Sequence, residues 1–406
     1  MKILQINKYF YHKGGAETVF FNTMHLLEQY GHSVIPFSLK SELNQPSPYA
    51  SYFVDYPELS EAGFWTKLRH VPSFVYNREA ARQLDRLLER EKPDLAHIHL
   101  MFNSFSASIL PVLKRHGVPV VMSIHDHRLI CPAYSFTDGK GQVCERCLKG
   151  RSYWHCVSKR CSHGNLPNSL LLAADSYFRK YILSPEDYIE RFIFVAAFAQ
   201  AKHSRVSQKI RDKSTVLFNF TPLEKARAEK EDYLLYFGRI SEEKGLPVLM
   251  KAMENLPEVK LKIVGTGPLL EALRQQATPN VEFLGFKSGE ELEGYIKKAR
   301  FIILPSVCYE NGPMVVVEAY TLGTPAIGSR IGGIPEYILD RQSGFLFEPG
   351  SAASLQAAIG QALSLTEPAY GAMCKEAEAF AEAHFTEAAY YKKLFALYED
   401  VIHKQK

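Results

Sequence analysis

Short apolar runs alternate with amphipathic segments along most of this chain. In the first half, the runs lie at residues 2–6, 34–37, 94–99, 119–124, 192–197 and 215–218. Each run is too short for a helix and is bounded by glycine or polar residues, which favours buried strands. The segments between them, such as the one that ends at Gly31, have helical periodicity. Strands that alternate with helices predict a doubly wound α/β domain with a parallel sheet.

The second half repeats this rhythm, with strands predicted at 234–237, 259–264, 281–284 and 301–304 and helix over about 367–406. A polar, charged break at 219–232 separates the two halves, and 406 residues exceed what one compact core holds. We therefore predict an α/β fold with two Rossmann-like doubly wound domains. The predicted bounds are 1–213, 214–385, and a C-terminal helix at 386–406 that packs back on the first domain.

Glycine-rich turns follow the predicted strands of the second half. They are Gly238-Arg239, Gly265-Thr266-Gly267-Pro268, Gly285-Phe286, Gly312-Pro313 and the loop 331–336. Because all of them follow parallel strands, we expect them at one edge of the sheet, where open α/β sheets bind ligands. A helix N-terminus behind a glycine turn is also an anion site, since its N–H groups are unpaired within the helix.

Charged residues accompany these turns. Arg239 and Lys244 stand at one strand-to-helix turn, where they could clamp a diphosphate. Glu310 and Glu318 flank the Gly312-Pro313 turn. An anion seat between two carboxylates suits a nucleotide sugar, which carries a diphosphate between a sugar and a ribose. The alternative is a surface acid and a half-buried acid in an ordinary βα unit.

The first half contributes two further candidates. Gly14 and Gly15 form a turn before a helix, and although they do not make G-x-G-x-x-G, their backbone could approach a phosphate. His125 follows the predicted strand at 119–124. A single histidine is usually structural, but a position at the carboxyl end of a strand favours a role in a site.

Five of the seven cysteines lie between Cys131 and Cys161. The chain enters strand pattern at residue 2 without a signal-peptide pattern, so we expect a cytoplasmic protein whose thiols bind metal rather than form a disulfide framework. A structural zinc site is the leading prediction, and disulfide or redox pairing and free thiols are the alternatives. The predicted ligands are Cys144, Cys147, Cys156 and Cys161.

Charge is uneven along the chain, with a net charge of +7 over residues 1–205 and −3 over the rest. The basic half could face anionic lipid, an acidic glycan or nucleic acid, or could simply be a solvated surface. Between 65 and 78, aromatic residues alternate with cations, which could mark an acceptor or membrane-edge surface.

Together these motifs resemble the family 4 retaining glycosyltransferases, which have the two-domain GT-B fold with a central cleft. The resemblance covers nearly the whole chain and is strongest in the second half. It rests on Gly238-Arg239-x4-Lys244-Gly245, Val264-Gly265-Thr266-Gly267-Pro268, Glu310-x7-Glu318 and Gly14-Gly15-Ala16-Glu17. His125-Asp126 with Cys131-Pro132 is similar to members that build bacterial capsule, O-antigen or exopolysaccharide.

The resemblance implies a role for each matching residue. Arg239 and Lys244 neutralise the diphosphate, Glu310 contacts the donor sugar, and Glu318 accepts hydrogen bonds from the ribose. The remaining implied donor-site residues are His125, which reaches the sugar from the other domain, and Gly14, Gly15, Gly238, Gly265, Gly267, Phe286, Asn311, Gly312, Pro313 and Met314.

The predicted function is retaining transfer of a sugar from a UDP- or GDP-sugar to a lipid-linked or polysaccharide acceptor. No D-x-D motif occurs, so no catalytic metal is expected, and the zinc site would be structural. We expect a cytoplasmic enzyme, with contact at the inner membrane and no nucleic-acid partner. The alternatives are an epimerase or phosphorylase of the same fold, and a nucleic-acid binder that uses the basic cysteine segment.

Overall fold

The chain divides into two structural units. The computed structural model describes residues 1–56 and 71–404. Unit 1 comprises Met1–Leu217 and Tyr391–Lys406, and unit 2 comprises Phe218–Tyr390. The part of the aromatic and basic segment that includes Trp65, Lys67 and Arg69 lies outside the described residues. In the described part of the chain, no helix is both long and apolar enough to cross a membrane.

Unit 1 is built on a six-stranded sheet in the order β2-β1-β3-β4-β5-β6, and neighbouring strands are parallel. The chain extends the sheet from β1 to one side and then from β3 to the other, so its switch point lies between β1 and β3. The strands are β1 Lys2–Ile6, β2 Ser33–Phe37, β3 Leu95–Ile98, β4 Val120–Ile124, β5 Arg191–Phe194 and β6 Ser214–Val216.

Helices of unit 1 cover the sheet and follow the predicted periodicity. They span Gly15–Gln29, Arg78–Glu91, Ile109–Arg115, Trp154–Ser158, Leu166–Tyr181, Ala197–Ser204 and Gln208–Asp212. The helix between β3 and β4 begins only at Ile109, because Asn103 and Ser106 adopt positive φ angles in the preceding turns.

Unit 2 contains a second six-stranded parallel sheet, in the order β12-β11-β10-β7-β8-β9. Here the chain starts at β7, runs to β9 and returns to the other side of β7, so the switch point lies between β7 and β10. The strands are β7 Leu234–Phe237, β8 Leu261–Val264, β9 Val281–Gly285, β10 Phe301–Leu304, β11 Ala326–Ser329 and β12 Gly344–Phe347.

The helices that begin in unit 2 span Leu246–Met253, Leu270–Gln276, Gly289–Lys298, Met314–Thr321, Ile334–Tyr337, Ala352–Leu363, Glu367–His384 and Glu387–His403. In the core, the helices Leu246–Met253 and Ala352–Leu363 pack their apolar sides against each other and against the sheet. The last helix continues into unit 1, where Tyr398 is buried and its hydroxyl lies 2.6 Å from His97 Nδ1.

The predicted fold class is confirmed, and three details differ. Sequence reasoning gave no strand to β11 or β12, because four-residue runs that contain glycine carry a weak strand signal. β6 pairs with β5, so unit 1 extends to Leu217 rather than ending before residue 214. The helical segment predicted from about residue 367 is two helices, separated at Phe385 and Thr386.

Candidate functional site

The turns at the carboxyl edge of the unit 2 sheet pack against one another at backbone distance. A Cβ atom on Gly265 would lie 1.9 Å from the carbonyl oxygen of Gly238, and one on Gly245 would lie 1.8 Å from that of Pro305. Both glycines also have φ angles that favour glycine, +139° and +73°. The turns after β7, β8 and β10 therefore meet at the switch point, as expected from the sequence.

Lys244 and Glu310 form an ion pair across this switch point. Lys244 Nζ lies 2.5 Å from Glu310 Oε1, and the hydroxyl of Ser306 donates to the same oxygen at 2.7 Å. Burial by itself raises the pKa of Glu310, but the charge and hydrogen bond of Lys244 outweigh it, and the net pKa is lowered. Burial likewise lowers the pKa of Lys244, and Glu310 reverses this to a net rise. Both side chains are therefore charged at neutral pH.

The backbone of Glu310 is held by the loop that follows β11. Gly333 N–H donates to the carbonyl oxygen of Glu310 at 2.7 Å. A Cβ atom on Gly332 would lie 2.5 Å from that oxygen, and Gly332 has a φ angle of +61°. Glycine is therefore required where this loop touches Glu310. The sequence marked the loop as glycine-rich but did not connect it with Glu310.

Arg239 begins the turn after β7. Its carbonyl oxygen accepts a hydrogen bond from the buried Tyr236 hydroxyl at 2.6 Å, which fixes the backbone where the turn starts. The side chain is exposed, and among the described residues no carboxylate forms an ion pair with it. Within the described residues, this turn thus presents the guanidinium of Arg239 without a carboxylate partner, together with the ammonium of Lys244, which is paired with Glu310.

Glu318 lies in the short helix Met314–Thr321, whose N-cap is Pro313. Burial, with a smaller contribution from the charge of Glu293, raises the pKa of the Glu318 carboxyl to about 7. Before the helix, Asn219 Nδ2 donates to the carbonyl oxygen of Gly312 at 3.4 Å. A carboxyl in this environment gains from any ligand hydroxyl that donates to its ionised form.

Of the other predicted residues of unit 2, Gly265, Gly267 and Phe286 follow the ends of β8 and β9, and Asn311 and Met314 lie before and at the start of the helix that carries Glu318. Gly267 packs so closely that a Cβ atom would lie 2.2 Å from the carbonyl oxygen of Ile240. Gly265 N–H donates to the carbonyl oxygen of Gly285 at 2.8 Å, and the ring of Phe286, next in the chain, is exposed. These positions form the outer part of the same sheet edge.

The corresponding edge of unit 1 carries two hydrogen-bonded imidazoles, the buried His99 and the half-buried His125. His125 Nε2 lies 3.0 Å from His99 Nδ1, and His99 Nε2 lies 3.0 Å from Gln5 Oε1. Since the Gln5 oxygen can only accept, His99 carries its proton on Nε2, and His125 therefore donates through its own Nε2. Burial lowers the pKa of His125 to about 4. His125 is thus a neutral imidazole whose tautomer is set by Gln5 through His99.

Next to these imidazoles is a cavity with a volume of about 210 Å³. Its walls include the predicted His125 and two residues with cations, Lys8 and Arg128. The Arg128 guanidinium lies 4.7 Å from the centre of the Tyr134 ring, which also lines the cavity. Cations and aromatic rings together suit a polar ligand with sugar rings or anionic groups.

Gly14 and Gly15 begin the first long helix of unit 1. Gly14 is its N-cap with an extended backbone (φ −172°), and Gly15 is its first residue. Glu17 in the first turn is buried, and burial raises the pKa of its carboxyl. The helix N-terminus is present as predicted, together with an acid that the sequence argument did not weigh. Gly14, Gly15 and His125 belong to unit 1, and the other predicted donor-site residues to unit 2.

The cysteine segment gathers its thiols around one small apolar cluster. Cys147 and Cys156 are buried in it and Cys161 packs against it. The Cys156 thiol donates to the carbonyl oxygen of Ser169 at 3.8 Å, and its interaction with Cys161 raises the pKa of Cys156 and lowers that of Cys161. All cysteines are unpaired, and no group of three or more potential ligands within residues 1–56 and 71–404 is arranged to hold a metal ion. Zinc binding by Cys144, Cys147, Cys156 and Cys161 stays a prediction.

Sequence reasoning missed several supporting residues. Ser306, which follows β10, was not selected, yet its hydroxyl donates to Glu310. Gln5, which lies in β1, and His99, which directly follows β3, were not selected, although both strands border the unit 1 switch point. The available signal for His99 was its position directly after a strand, the same signal that selected His125.

Two parallel, doubly wound sheets of this kind are the architecture of the GT-B fold. Two family models match the chain, one within each unit. Glycosyltransferase Family 4 matches residues 13–161 and Glycosyl transferases group 1 matches residues 220–382. The chain belongs to the family 4 glycosyltransferases of the GT-B fold, as the sequence motifs predict.

Known proteins of similar sequence include a plant and a bacterial transferase. Sulfoquinovosyl transferase SQD2 of Arabidopsis thaliana is 30% identical over 278 residues, which is 65% of this chain and 48% of that protein. Amylovoran biosynthesis glycosyltransferase AmsK of Erwinia amylovora is 31% identical over 180 residues, 41% of this chain and 44% of that protein. The matched region thus spans about half the length of these relatives.

Among solved structures, HepE of Anabaena in complex with UDP superposes with a TM-score of 0.66 at 17% identity. The match covers 98% of this chain and 100% of that one. At this identity, the likeness supports the shared fold alone.

Proposed function

We propose that this chain transfers a sugar, with retention of anomeric configuration, from a UDP- or GDP-sugar to a lipid-linked or polysaccharide acceptor. The observation that carries the proposal is the Lys244–Glu310–Ser306 cluster at the switch point of unit 2. It places a charged acid and a cation at the position where open α/β sheets bind nucleotides.

Diphosphate binding is assigned to Arg239 and Lys244. The guanidinium can donate two parallel hydrogen bonds to phosphate oxygens, and the ammonium acts as a compact charge. Negative charge builds up on the nucleotide as the bond to the sugar breaks, so both cations stabilise the transition state more than the ground state. In this proposal, the chemistry needs no divalent metal.

Glu310 would accept hydrogen bonds from hydroxyls of the donor sugar. Its carboxylate is already oriented by Lys244 and Ser306, and its backbone is fixed by Gly333, so little freedom is lost on binding. Glu318 would accept from the ribose hydroxyls, and the base would lie near Gly265 and Phe286. The acceptor hydroxyl would attack the face from which the nucleotide leaves, and a phosphate oxygen would take its proton.

Two features of similar proteins support the proposal. HepE was solved with UDP, and AmsK is named for amylovoran biosynthesis. We propose that this chain likewise works in the assembly of a cell-surface glycan. We further propose that the chain works in the cytoplasm, at the inner face of the membrane that holds its acceptor.

A donor screen tests this function. The purified chain is incubated with a panel of UDP- and GDP-sugars, and both nucleotide release and thermal stabilisation are measured. We expect one nucleotide family to raise the melting temperature by several degrees and one sugar to be hydrolysed slowly without acceptor. If no nucleotide sugar stabilises the folded protein, the proposed donor site is wrong.

For the cysteine segment, we propose one structural zinc ion. Elemental analysis of protein purified without chelators should give about one zinc per chain, and the variant Cys144→Ser/Cys147→Ser should lose it. The matched control is Cys308→Ser/Cys374→Ser, which changes the two cysteines of unit 2 and should keep the metal. A folded wild-type protein without metal would refute the site.

A further inference from the structure

The helix Leu166–Tyr181 has an exposed apolar stripe. Leu166, Leu170, Ala174 and Tyr181 are all exposed, with Tyr177 half-buried between the last two. At about 100° per residue, these positions fall within about 80° of the helix circumference. The side chains therefore point to one side of the helix, and 54% of Leu170 is accessible to solvent.

The opposite side of the same helix is firmly anchored. Asp175 and Arg179 form a buried ion pair, with Nε 2.8 Å from Oδ2. Arg179 also donates to the carbonyl oxygen of Arg128 at 3.0 Å. The exposed stripe is thus the outer side of a packed helix, and its apolar residues are held on the surface.

Neighbouring elements widen the stripe. The Trp154 backbone N–H donates to the Tyr177 hydroxyl at 3.1 Å, and the rings of Tyr177 and Tyr181 stack with centroids 6.1 Å apart. Trp154 is 60% exposed and Ile182, just after the helix, is 72% exposed. Five of the thirteen large hydrophobic residues that are exposed in the described part of the chain lie between Trp154 and Ile182.

The segment that carries the stripe is basic, although Arg151 and Lys159 form ion pairs with Glu186 and Asp138. The segment 146–182 contains seven Lys and Arg residues and a single acid, Asp175, which is buried and paired with Arg179. Three of the cations, Arg146, Lys149 and Arg160, are exposed. Lys180 Nζ donates to the carbonyl oxygen of Gly150 at 3.1 Å, which holds the turn that contains Lys149 next to the end of the stripe.

We propose that this surface binds an anionic lipid bilayer. The docking surface consists of Trp154, Leu166, Leu170, Tyr181 and Ile182 with their surrounding cations. Indole and phenol rings prefer the membrane interface, the aliphatic side chains enter its apolar edge, and the cations pair with anionic headgroups.

Other occupants fit less well. A second copy of the chain would bring like charges together across a self-complementary contact. A nucleic acid or acidic glycan would satisfy the cations but leave the apolar stripe in water. The inference adds to the proposed function and does not depend on sugar transfer.

The test is co-sedimentation of the full chain with lipid vesicles. We expect binding to vesicles of phosphatidylglycerol and phosphatidylethanolamine, weaker binding to phosphatidylcholine alone, and weakening as salt increases. Leu170→Glu/Ile182→Glu should reduce partitioning at least about tenfold, because charged groups then replace inserted aliphatic ones. Lys149→Glu/Arg160→Glu should do the same. The control is Lys40→Glu/Leu43→Glu, which makes one substitution of each kind at exposed sites elsewhere in unit 1 and should bind like the wild type.

Tryptophan fluorescence gives an independent readout. The chain has two tryptophans, so in Trp65→Phe the emission comes from Trp154 alone. Its maximum should shift to shorter wavelength when anionic vesicles are added. No shift, equal loss in the control variant, or salt-independent self-association that disappears in Leu170→Glu/Ile182→Glu would overturn the proposal. A catalytically inactive protein that still shows the shift would leave this inference standing and count only against the proposed function.

Discussion

The two units have the same architecture but differ at their switch points, where unit 2 carries charged side chains and unit 1 carries neutral ones. In each, the order of six parallel strands changes side at a switch point, and polar side chains follow the strands that border it. In unit 2 these side chains are a charged pair, Lys244 and Glu310. In unit 1 they are the buried His99 and, one strand further, the half-buried His125, whose Nε2 lies 3.0 Å from His99 Nδ1.

This difference in charge state arises from the groups that contact Glu310 in unit 2 and the two histidines in unit 1. Glu310 stays ionised in spite of burial because an ammonium and a hydroxyl contact it. His99 and His125 have other imidazoles and an amide as partners, so burial lowers their pKa values and keeps them neutral. Topology therefore sets where a ligand can bind, whereas local partners decide whether the site offers charge or only hydrogen bonds.

The largest expected effect is at the charged edge. Glu310→Gln should reduce sugar transfer at least about 100-fold, because the amide removes the charge but keeps the shape. The melting temperature should change by less than about 5 °C, since the amide oxygen can still accept from Ser306. The control Glu242→Gln alters an exposed acid in the turn after β7 and should keep full activity. Turnover near the wild-type rate in Glu310→Gln would remove Glu310 from the mechanism.

Next in size is the loss of the two cations. Arg239→Ala/Lys244→Ala should weaken UDP or GDP binding by about 100-fold, since each charge-assisted hydrogen bond contributes roughly 1.5–3 kcal/mol. Calorimetric titration measures this affinity. Lys251→Ala/Lys260→Ala removes the same charge from exposed positions of unit 2 and is the matched control. Equal affinities in the two double variants would mean that overall charge, and not this turn, attracts the nucleotide.

A smaller effect is expected from Glu318. Its pKa of about 7 in the free protein should fall when ribose hydroxyls donate to the carboxylate, so binding favours the ionised form. Affinity for the nucleoside diphosphate should then rise several-fold from pH 6 to pH 8. The phosphate also titrates near pH 6, so the difference between wild type and Glu318→Gln isolates the carboxyl. Identical pH profiles for the two proteins would place the ribose elsewhere.

The smallest effect contrasts the stability of the two units. The pKa values of His97 and His125 are lowered by burial to about 3 and about 4, so their neutral forms stabilise unit 1 fully above the ordinary histidine pKa. This stability is lost as pH falls from about 6.5 towards 4. The raised pKa of Glu318 has the opposite sign, and between pH 7 and 4.5 it makes unit 2 more stable as pH falls.

Calorimetric scans at pH 7.5 and 5.5 test this contrast. The transition of unit 1 should fall by roughly 5 °C, and the transition of unit 2, recognised by its shift on UDP addition, should not fall. Glu318→Gln should remove the increase in the stability of unit 2 at the lower pH and leave the transition of unit 1 unchanged. A parallel decrease of both transitions would show that the difference in site electrostatics does not extend to stability.

Much of the fold and part of the site could be read from the chain. Ten of the twelve strands follow from apolar runs bounded by glycine or polar residues. The turns at the carboxyl edge of the unit 2 sheet follow from their glycines. β11, with a central glycine in four residues, has too little pattern to be recognised alone. Ser306, Gly333 and Gln5 act through single hydrogen bonds to residues four or more positions away, and periodicity carries no information about such contacts.

The amino-acid sequence by itself determined the α/β class, the two repeats of it, and the residue types available at each strand end. Those properties depend on local propensity and on the period of apolar positions, which one chain segment carries alone. Only the tertiary structure decided that Lys244 neutralises Glu310, that His125 is a neutral imidazole, and that Glu318 has a pKa near neutrality. Charge state depends on burial and on partners brought together from distant strands, and these exist only once the sheets have formed.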